Sequence, residues 1–486
     1  MNTLPDLPAP KTVVIMGVPF HDVTMNETLA HIDRMIAEGE SRYIATANLD
    51  FTAQASEDVE LQRILLEAHL VLCDGTPLVW ASRWLGAPIR ERVAGSDLMP
   101  RLTAHCAAKG YRMFLLGATD KTLDMAQAKM REAHPDLVIA GSYAPPVAKL
   151  LDFDNDTILT RIHAAKPHVL IVCFGCPKQE KWIYMNLAKL HVPVSIGLGA
   201  TLDFVAGNFR RAPVWMRQTG LEWVFRLLQE PRRLFNRYLF DLLFFVRALR
   251  RQRAVLKNTA ASAPAGETAA PPATQSSSET TVMNWSGRVD AARVHAGKLP
   301  LPRFDQSPLP PAVYLDLSDV TYLDSTGLGQ LLRLFREARA HGIDFVLLRP
   351  SSSVTALLAA MKLDRLLPAF ATLESAQSSL REQSLHADFI ELTPQGDLVA
   401  ATCAATRQWI ESAWADGPWV RLLILNLKQV RFMDSSGLGL LVAMQRMVAR
   451  RRGATLQLSH VNANLHNVMR IAKLDTFFTL KTPDAK

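Results

Sequence analysis

The stretch "HVLIVCFGCPKQEKW" at residues 168–182 contains one strand, one loop and the start of one helix. The run up to Cys173 is apolar and rich in Val, Leu and Ile, which is typical of a strand buried on both faces. Gly175 ends this run, and charged side chains follow it. The stretch therefore predicts a buried strand whose carboxyl end opens into a polar loop.

Runs of this kind recur through the first half of the chain and alternate with helix-length segments at 57–68, 119–134 and 156–165. Such alternation predicts an α/β, Rossmann-like fold, in which a parallel sheet carries helices on both faces. The predicted strands are "KTVVIMGV" (11–18), "SRYIATAN" (41–48), "LVLCDG" (70–75), "YRMFLLGA" (111–118), "DLVIAGSY" (136–143), "HVLIVCFG" (168–175) and "VPVSIGLG" (192–199).

The ends of these strands predict where a ligand binds. Ligands of open parallel sheets bind beyond the carboxyl ends of the strands. Asn48, Asp74, Gly117 and Gly175 stand at four such ends. We therefore expect these four residues to converge on one site.

The composition is that of a globular protein. Of 486 residues, 49% are hydrophobic and 21% are charged, and the length suggests two to four domains. No uninterrupted apolar run approaches the ~18 residues of a membrane span, and the start lacks the pattern of a signal peptide. Five cysteines, an odd number, do not make a disulfide framework. We expect a protein of the reducing cytoplasm.

The net charge of +8 is concentrated in one segment. Residues 208–257 contain twelve Lys or Arg but only three acidic residues, which accounts for the whole excess. The arginines alternate with Leu, Trp, Phe and Tyr at helical spacing, with a Pro break at 231. This composition favours an interfacial helix pair on an anionic membrane over a nucleic-acid surface. The alternative is an ordinary core helix of a larger domain or of an oligomer.

The second half of the chain contains a repeat. Residues 313–348 match residues 421–458, and each copy carries D-S-[ST]-G-L-G between a strand and an amphipathic helix. Before the repeat, residues 258–281 are rich in Ala, Pro, Ser and Thr, which predicts a flexible linker dividing the protein in two. The start of the first copy, residues 283–310, predicts a poor strand and a Pro-rich detour, as in a degenerate copy.

Five motifs occur in order in the first half. They are T-x-N (46–48), D-G-x-x-x-V-W (74–80), E-R-x-x-G-S-D (91–97), F-G-x-P-x-Q-E-x-W (174–182) and G-x-x-x-D-F-x-A-G-x-x-x-R-A-P (199–213). Together they resemble the WecG/TagA/CpsF family of bacterial glycosyltransferases, enzymes of cell-surface polysaccharide and teichoic acid assembly. The resemblance covers residues 11 to about 250.

This resemblance implies an inverting transfer from a UDP-sugar to a polyprenyl-diphosphate-linked sugar at the inner membrane. The donor sugar would be of the N-acetylmannosamine, uronic acid or hexose type. Asp74 would be the general base, which takes the proton of the acceptor hydroxyl. Thr46 and Asn48 would contact the sugar or the acceptor, and Arg92 and Gln179 the nucleotide diphosphate. No cofactor and no metal are expected.

Simpler roles remain open for several of these residues. Asp74 could cap the following helix, and Arg92 could form an ion pair with neighbours such as Glu91. The acidic stretch "DFDNDT" (152–157) could hold a metal through D-x-D, but acidic residues at a helix N-terminus explain it equally well.

In the basic segment, the resemblance implies a C-terminal appendage that targets the membrane and completes the active site with arginines. By position, Arg226, Arg232 and Arg233 are candidates for reaching the diphosphate.

The repeated motif resembles the STAS domain, the fold of anti-sigma factor antagonists. This resemblance implies phosphorylation of Ser325 and Ser435 by a cognate kinase. A phosphate at a helix N-terminus is electrostatically favourable but adds bulk and charge where a partner docks, which makes a binding switch. The alternative is that each serine only caps its helix.

These observations predict five parts of the chain. They are a catalytic domain (1–207), a basic membrane-targeting appendage (208–257), a linker (258–281) and two STAS domains (282–384 and 385–486).

The spacing Cys173-x-x-Cys176 first suggests redox or zinc chemistry. Cys173 lies inside the predicted strand, so only Cys176 belongs to the loop. Zinc would need two more ligands, and only Cys73, at another strand tip, is a plausible addition. We therefore expect Gln179, rather than the cysteines, to be the important residue of this loop.

The leading hypothesis is a glycosyltransferase that is cytoplasmic and peripheral on the inner face of the plasma membrane. Its STAS domains would recruit or regulate it through a kinase or a partner protein. The first alternative is an inactive, transferase-like scaffold in a partner-switching pathway. The second, nucleic-acid binding through the basic segment, is disfavoured by the aromatic-rich pattern. Homo-oligomerisation stays open.

Overall fold

A computed structural model describes most of the chain. The described residues are 9–209, 211–213, 215–216, 222–229, 231–262, 274–276, 281–302, 304, 310, 312–341, 343–377, 390–416, 422–451, 454–471, 474 and 478–481. The chain forms two compact units, Met1–Leu373 and Glu374–Lys486.

The first unit begins with an α/β domain. Its strands are β1 (Lys11–Ile15), β2 (Val18–Asp22), β3 (Arg42–Ala47), β4 (Leu70–Cys73), β5 (Met113–Gly117), β6 (Ile139–Tyr143), β7 (Val169–Cys173) and β8 (Val194–Gly197). Its helices are α1 (Met25–Glu38), α2 (Leu49–Glu57), α3 (Val59–Glu67), α4 (Thr76–Trp84), α5 (Gly95–Lys109), α6 (Asp120–Ala133), α7 (Asn155–Ala165), α8 (Lys178–Leu190) and α9 (Thr201–Ala206).

Six of these strands form one parallel sheet in the order β4-β3-β8-β7-β5-β6. Successive residues of a strand face opposite sides. Along β3, Tyr43 and Ala45 belong to one buried cluster and Ile44 belongs to another. Both faces of the sheet are therefore covered by apolar side chains, and the predicted α/β fold with helices on both faces is confirmed.

The prediction for the first strand was wrong in one respect. Residues Lys11–Ile15 do not join the parallel sheet but pair antiparallel with β2. Met16 and Gly17 connect the two strands, with φ of 51° and 81°. Two consecutive positive φ values are typical of the tight turn of a two-residue hairpin. This turn lies inside a continuous apolar run, so the hydrophobic pattern did not reveal it.

The predicted helices lie where expected, at α3, α6 and α7. Short polar side chains cap several helices by accepting backbone N–H groups. Asn48 accepts from Phe51 at the start of α2, Thr119 accepts from Thr122 at the start of α6, and Asp154 accepts from Thr157 at the start of α7.

Two helices follow the α/β domain, α10 (Glu222–Gln229) and α11 (Pro231–Ser262). Helix α11 begins at the predicted break, Pro231, because proline suits a first helical position. One side of α11 is buried along its second half, at Leu249, Gln252 and Leu256. In a search confined to the described residues, none of the helices has the length and apolar character needed to cross a membrane.

Part of the predicted linker, residues 258–281, forms regular secondary structure where the structure describes it. Helix α11 continues to Ser262, and Thr274–Ser276 forms strand β9. The rest of the predicted linker, 263–273 and 277–280, lies outside the described residues. The first repeat belongs to the same compact unit as the α/β domain, so the predicted linker does not divide the chain into its two units.

The first repeat forms a sheet in the order β13-β12-β11-β10-β9, parallel except for the edge strand β9. Its further elements are β10 (Thr281–Val289), α12 (Ala291–His295), β11 (Ala312–Leu323), α13 (Ser325–Ala340), β12 (Asp344–Leu348), α14 (Ser352–Ala360) and β13 (Ala369–Phe370).

The second unit contains the other repeat, with a parallel sheet in the order β14-β15-β16-β17. Its elements are β14 (Ile390–Leu392), α15 (Ala400–Asp416), β15 (Leu422–Asn426), α16 (Ser435–Ala449), β16 (Thr455–Ser459), α17 (Ala463–Ile471) and β17 (Thr479–Lys481).

The expectation of a poor strand at the start of the first repeat was wrong. Thr281–Val289 is a nine-residue strand that buries every second side chain, among them Met283, Trp285 and Val289. The indole N–H of Trp285 donates to the carbonyl of Pro300 at 3.1 Å. Residues 303 and 305–309 of the predicted Pro-rich detour lie outside the described residues.

Replacing Trp285 with Ala should lower the free energy of unfolding by about 3–5 kcal/mol, because it leaves a large cavity in the core of the first repeat. Trp409, which is 43% exposed on α15, provides the control. Trp409→Ala should change the free energy of unfolding by no more than about 0.5 kcal/mol. Urea unfolding followed by circular dichroism measures both values. Equal losses in the two variants would support a degenerate first repeat.

Candidate active site

The carboxyl ends of the parallel strands meet at one edge of the sheet, as predicted. Strands β4 and β3 are joined there by the N–H of Asp74, which donates to the carbonyl of Ala47 at 2.9 Å. On the other side, the N–H of Ala118, just after β5, donates to the carbonyl of Cys173 at 3.3 Å. The loops after β3, β4, β5, β7 and β8 therefore surround a single edge, which we call the Asp74 edge.

Asp74 is partly buried directly after β4. Its Oδ2 accepts the N–H of Gly95 at 3.1 Å, at the first residue of α5. The pKa of Asp74 is raised to about 6, mainly by burial and to a smaller extent by the nearby carboxylates of Glu222 and Asp97, while the N–H of Gly95 and the charge of Arg92 oppose the shift. Asp74 does not cap the next helix, α4, because the N-cap there is Gly75, without a side-chain hydrogen bond. Its carboxyl group can exchange a proton near neutral pH.

Two arginines and two carboxylates form an ion-pair network beside Asp74. Arg92 donates to Asp97 at 2.7 Å and to Glu222 at 3.2 Å. Arg211 donates to the other oxygen of Asp97 at 2.8 Å and lies 3.8 Å from Glu222. The ion-pair partners of Arg92 are therefore Asp97 and Glu222 rather than its neighbour in sequence. The four charges balance, so an ionised Asp74 gives this group of five side chains a net negative charge.

Arg211 and Glu222 were not identified as site residues from the sequence. Arg211 is the arginine of the R-A-P motif, which was a usable signal. Glu222 was only counted as an acid within the basic segment, and its pairing with Arg92 spans 130 residues. It connects α10 to the Asp74 edge.

Gln179 ties two loops of this edge together. Its side-chain oxygen accepts the N–H groups of Gly175 at 3.1 Å and Gly199 at 3.0 Å, from the loops after β7 and β8. Its side-chain nitrogen donates to Glu180 at 2.7 Å. Gln179 is only 1% exposed. All of its described contacts shape the loops, and the prediction that it binds the diphosphate stays a prediction.

Glu180 is a second unusual carboxyl group, which sequence reasoning did not assign to the site. It is fully buried, and one of its two oxygens lacks a hydrogen-bond partner among the described residues. Burial raises its pKa to about 7, and the hydrogen bond from Gln179 opposes the shift. Its position directly after Gln179 in the F-G-x-P-x-Q-E-x-W motif was the available signal.

Thr46 and Asn48 lie at the end of β3, next to the Asp74 edge. The hydroxyl of Thr46 is buried and donates to the carbonyl of Gly197 at 2.8 Å, which joins β3 to β8. The side-chain oxygen of Asn48 caps α2, and Gly75 lies against Asn48. Their predicted contacts with a sugar or an acceptor therefore remain predictions.

The alternative metal and thiol sites can be located. Asp154 caps α7 and also accepts the hydroxyl of Thr157 at 2.6 Å. Within the described part of the chain, no group of three or more His, Cys, Asp or Glu side chains could hold a metal ion. Cys173 is buried at the end of β7, as predicted, and Cys73 and Cys176 are free thiols. Burial raises the pKa of Cys173 to about 12, which suppresses the reactive thiolate.

The remaining predicted residues lie on helices. Arg226 lies in α10, and Arg232 and Arg233 lie at the start of α11, but their side chains are outside the described part of the structure. Ser325 is the first residue of α13 and is buried, whereas Ser435 is the first residue of α16 and is exposed.

Neither serine caps its helix. Asp324 and Asp434 do so instead, each accepting two backbone N–H groups at distances from 2.8 to 3.1 Å.

Comparison with known proteins identifies related sequences. Residues 13–259 match the glycosyl transferase WecG/TagA/CpsF family, and residues 244–376 and 382–483 match the STAS domain. Proteins of Staphylococcus aureus strains MW2 and NCTC 8325 are 30% identical over 224 residues, which cover 46% of this chain and 86% of each relative. Both are named N-acetylglucosaminyldiphosphoundecaprenol N-acetyl-beta-D-mannosaminyltransferase.

Among solved structures, similarity is found to a Thermotoga maritima protein assigned as an anti-sigma factor antagonist. The identity is 20%, the match covers 20% of this chain and 81% of that protein, and the TM-score is 0.19. This score is too low to support an argument about fold or function.

Gln179→Ala should lower the free energy of unfolding by about 1–3 kcal/mol, because the N–H groups of Gly175 and Gly199 lose their acceptor. Transferase activity should fall with it, since both loops border the Asp74 edge. Cys176→Ala, in the same loop, is the control and should leave both properties nearly unchanged. Chemical denaturation and a transfer assay measure the two effects. Loss of activity in Cys176→Ala but not in Gln179→Ala would reverse the roles assigned to this loop.

Proposed function

The chain belongs to the WecG/TagA/CpsF family of glycosyl transferases, and we propose that it transfers a sugar from a UDP-sugar to a polyprenyl-diphosphate-linked acceptor in bacterial surface polysaccharide synthesis. The donor sugar is of the N-acetylmannosamine, uronic acid or hexose type. The names of the Staphylococcus relatives support N-acetylmannosamine as the first donor to test. They also support an N-acetylglucosamine-diphosphate lipid as the first acceptor.

The observation that carries this proposal is the position and the pKa of Asp74. Its carboxyl group lies at the edge where parallel sheets bind ligands, and its pKa is raised to about 6. In the proposed reaction the acceptor hydroxyl attacks the anomeric carbon, its proton passes to Asp74, and the bond to UDP breaks with inversion. A base with a pKa near the working pH suits this proton transfer.

The leaving UDP carries negative charge that cations must stabilise. Arg92 and Arg211 lie next to Asp74 but are paired with Asp97 and Glu222. We therefore propose that the diphosphate takes the place of a carboxylate as the partner of Arg92. Arg226, Arg232 and Arg233 are proposed to add positive charge from α10 and α11. This exchange of partners needs no metal ion.

Helix α11 supports a location at the inner face of the cytoplasmic membrane. Away from its buried side, its first half exposes apolar side chains and its second half exposes arginines. The apolar ones are Phe235, Phe240, Leu242, Leu243 and Val246. The arginines are Arg247, Arg250, Arg251 and Arg253. Apolar insertion combined with attraction to anionic headgroups is how an interfacial helix binds a membrane.

We further propose that the STAS regions recruit or regulate the enzyme through a protein partner. The exposed Ser435, at the start of α16, is the better placed of the two serines for modification by a kinase. A phosphate there would add charge and bulk to an exposed helix start.

Asp74→Asn should abolish most transfer, by a factor of about 10²–10⁴, because the general base is lost. In the wild type, kcat/KM should rise with pH through about 6 and then level off, since Asp74 must be ionised. The assay uses UDP-N-acetylmannosamine, UDP-glucuronic acid and UDP-hexoses with an N-acetylglucosamine-diphosphate lipid.

Thermal unfolding provides the control for Asp74→Asn. The folded chain holds the Asp74 proton up to about pH 6, whereas an unfolded Asp titrates near about 4. Wild-type stability therefore falls as the pH rises through 6, and the variant should be the more stable protein at pH 7 to 8. A folded variant with full activity would exclude Asp74 as the general base, whereas a wild type inactive with every donor would favour the scaffold alternative.

Replacing Phe235, Phe240 and Leu243 together with Ser should strongly reduce binding to anionic vesicles. Each loses apolar contact with lipid, at about 0.8 kcal/mol per buried CH₂ group. Vesicle flotation measures the bound fraction. Replacing the exposed Val147 and Val138 of the α/β domain with Ser is the control and should leave binding unchanged. Equal binding of all three proteins would exclude α11 as the membrane contact.

A further inference from the structure

Helix α13 of the first STAS region packs closely against the transferase domain. At Gly329 a Cβ atom would collide with the backbone carbonyl of Thr12 in β1. About two turns further along α13, Arg336 donates to the carbonyl of Ala68 at 3.1 Å and lies 3.4 Å from His21. Strand β1 and the end of α3 therefore cover the side of α13 that carries Gly329 and Arg336, which we call the α13 face.

The contact continues beyond α13. The side chain of Gln62 on α3 donates to the carbonyl of Met361 at 3.1 Å, and Lys362 donates to the carbonyl of Ser56 at 2.7 Å. Val14 and Leu66 of the transferase domain belong to the same buried cluster as the core of the first STAS region. The two domains thus share an apolar core as well as hydrogen bonds.

Helix α11 is held within this contact. The side chain of Gln252 is 1% exposed, accepts the N–H of Met16 at 2.9 Å and donates to the carbonyl of Val14 at 2.9 Å. One turn later, Leu256 is packed in the shared cluster. The second half of α11 is therefore fixed to β1 and to the first STAS region together. Its first half carries the exposed apolar side chains, and α10, which precedes it, carries Glu222.

The second STAS region provides an internal comparison. At the offset of the repeat, Gly329 corresponds to Gly439 and Arg336 corresponds to Arg446. Among the residues that the structure describes, nothing lies within 4 Å of a Cβ placed at Gly439, and Arg446 is exposed. The glycine and the arginine thus contact the transferase domain in the first copy and are exposed in the second copy.

Ser325 is inaccessible to a modifying enzyme in this structure. It is 0% exposed, and its hydroxyl lacks a hydrogen-bond partner among the described residues. A phosphate there would require the first STAS region to open.

We propose that the first STAS region is a clamp whose partner is the transferase domain of its own chain, and that it fixes the membrane-facing half of α11 relative to the Asp74 edge. The predicted effect of the clamp on the use of lipid-linked acceptors rests on the proposed function. The contact between the two domains does not depend on it. In this role the α13 face is not a docking site for a separate protein.

Gly329→Leu in the full chain tests the clamp, because the new side chain must push β1 away. Hydrogen exchange is measured along residues 248–258 of α11. Exchange there should become at least about tenfold faster, since these residues lose one of their two packing partners. Arg336→Ala removes hydrogen bonds without adding bulk, so it should also make exchange in α11 faster, but by less than Gly329→Leu does.

Gly439→Leu and Arg446→Ala are the matched controls and should leave exchange in α11 unchanged. Equal exchange in Gly329→Leu and Gly439→Leu, with both chains folded by circular dichroism, would overturn the clamp. Faster exchange across the whole α/β domain would also overturn it, because the first STAS region would then support the entire fold.

Activity gives a second readout. With acceptor in anionic vesicles, Gly329→Leu should raise KM about tenfold or more, whereas a short-chain soluble acceptor should be used within about twofold of wild type. An equal loss with both acceptors would contradict positioning by the clamp. If the variants show the predicted hydrogen exchange but the wild type transfers no sugar, the proposed function is refuted and the clamp is still supported.

Discussion

The ion pairs of Glu222 connect helix α10 to the edge of the sheet that carries Asp74. Glu222 lies on α10, and it reaches Arg92 and Arg211 beside Asp74. Without it, the two arginines would share a single carboxylate, Asp97, and the environment of Asp74 would become more positive. A partly buried charge network of this kind is sensitive to the loss of one member, because the remaining charges are left uncompensated. The position of α10 and the acidity of Asp74 are therefore linked.

The sequence predicted the parallel sheet and the edge around Asp74 because both depend on local patterns. Apolar runs define the strands, and the parallel arrangement brings their ends together. The hairpin of β1 and β2 was missed because Met16 and Gly17 form its turn inside an apolar run. Strand β10 was expected to be poor because its polar residues Asn284, Ser286 and Arg288 interrupt the apolar sequence. These polar residues alternate with buried ones, which is the pattern of a strand with one buried face.

The long-range contacts of the site were not predictable in the same way. Thr46 binds the carbonyl of Gly197, 151 residues away, and Arg211 binds Asp97, 114 residues away. A motif marks such residues as important without giving their partners. The side chain of Gln179 illustrates this, because its motif suggested a substrate contact whereas its described hydrogen bonds hold two loops together.

Through the buried contact between Gly329 and Thr12, the transferase domain competes with other proteins for the first STAS region. A partner within the same chain acts at an effective concentration on the order of millimolar, set by the connection between the domains. A free protein present at micromolar levels would be outcompeted at the first copy by about a thousandfold at equal intrinsic affinity. Duplication would in this way give the chain one STAS copy that is occupied by its own transferase domain. The other copy would still respond to the abundance of other proteins in the cell.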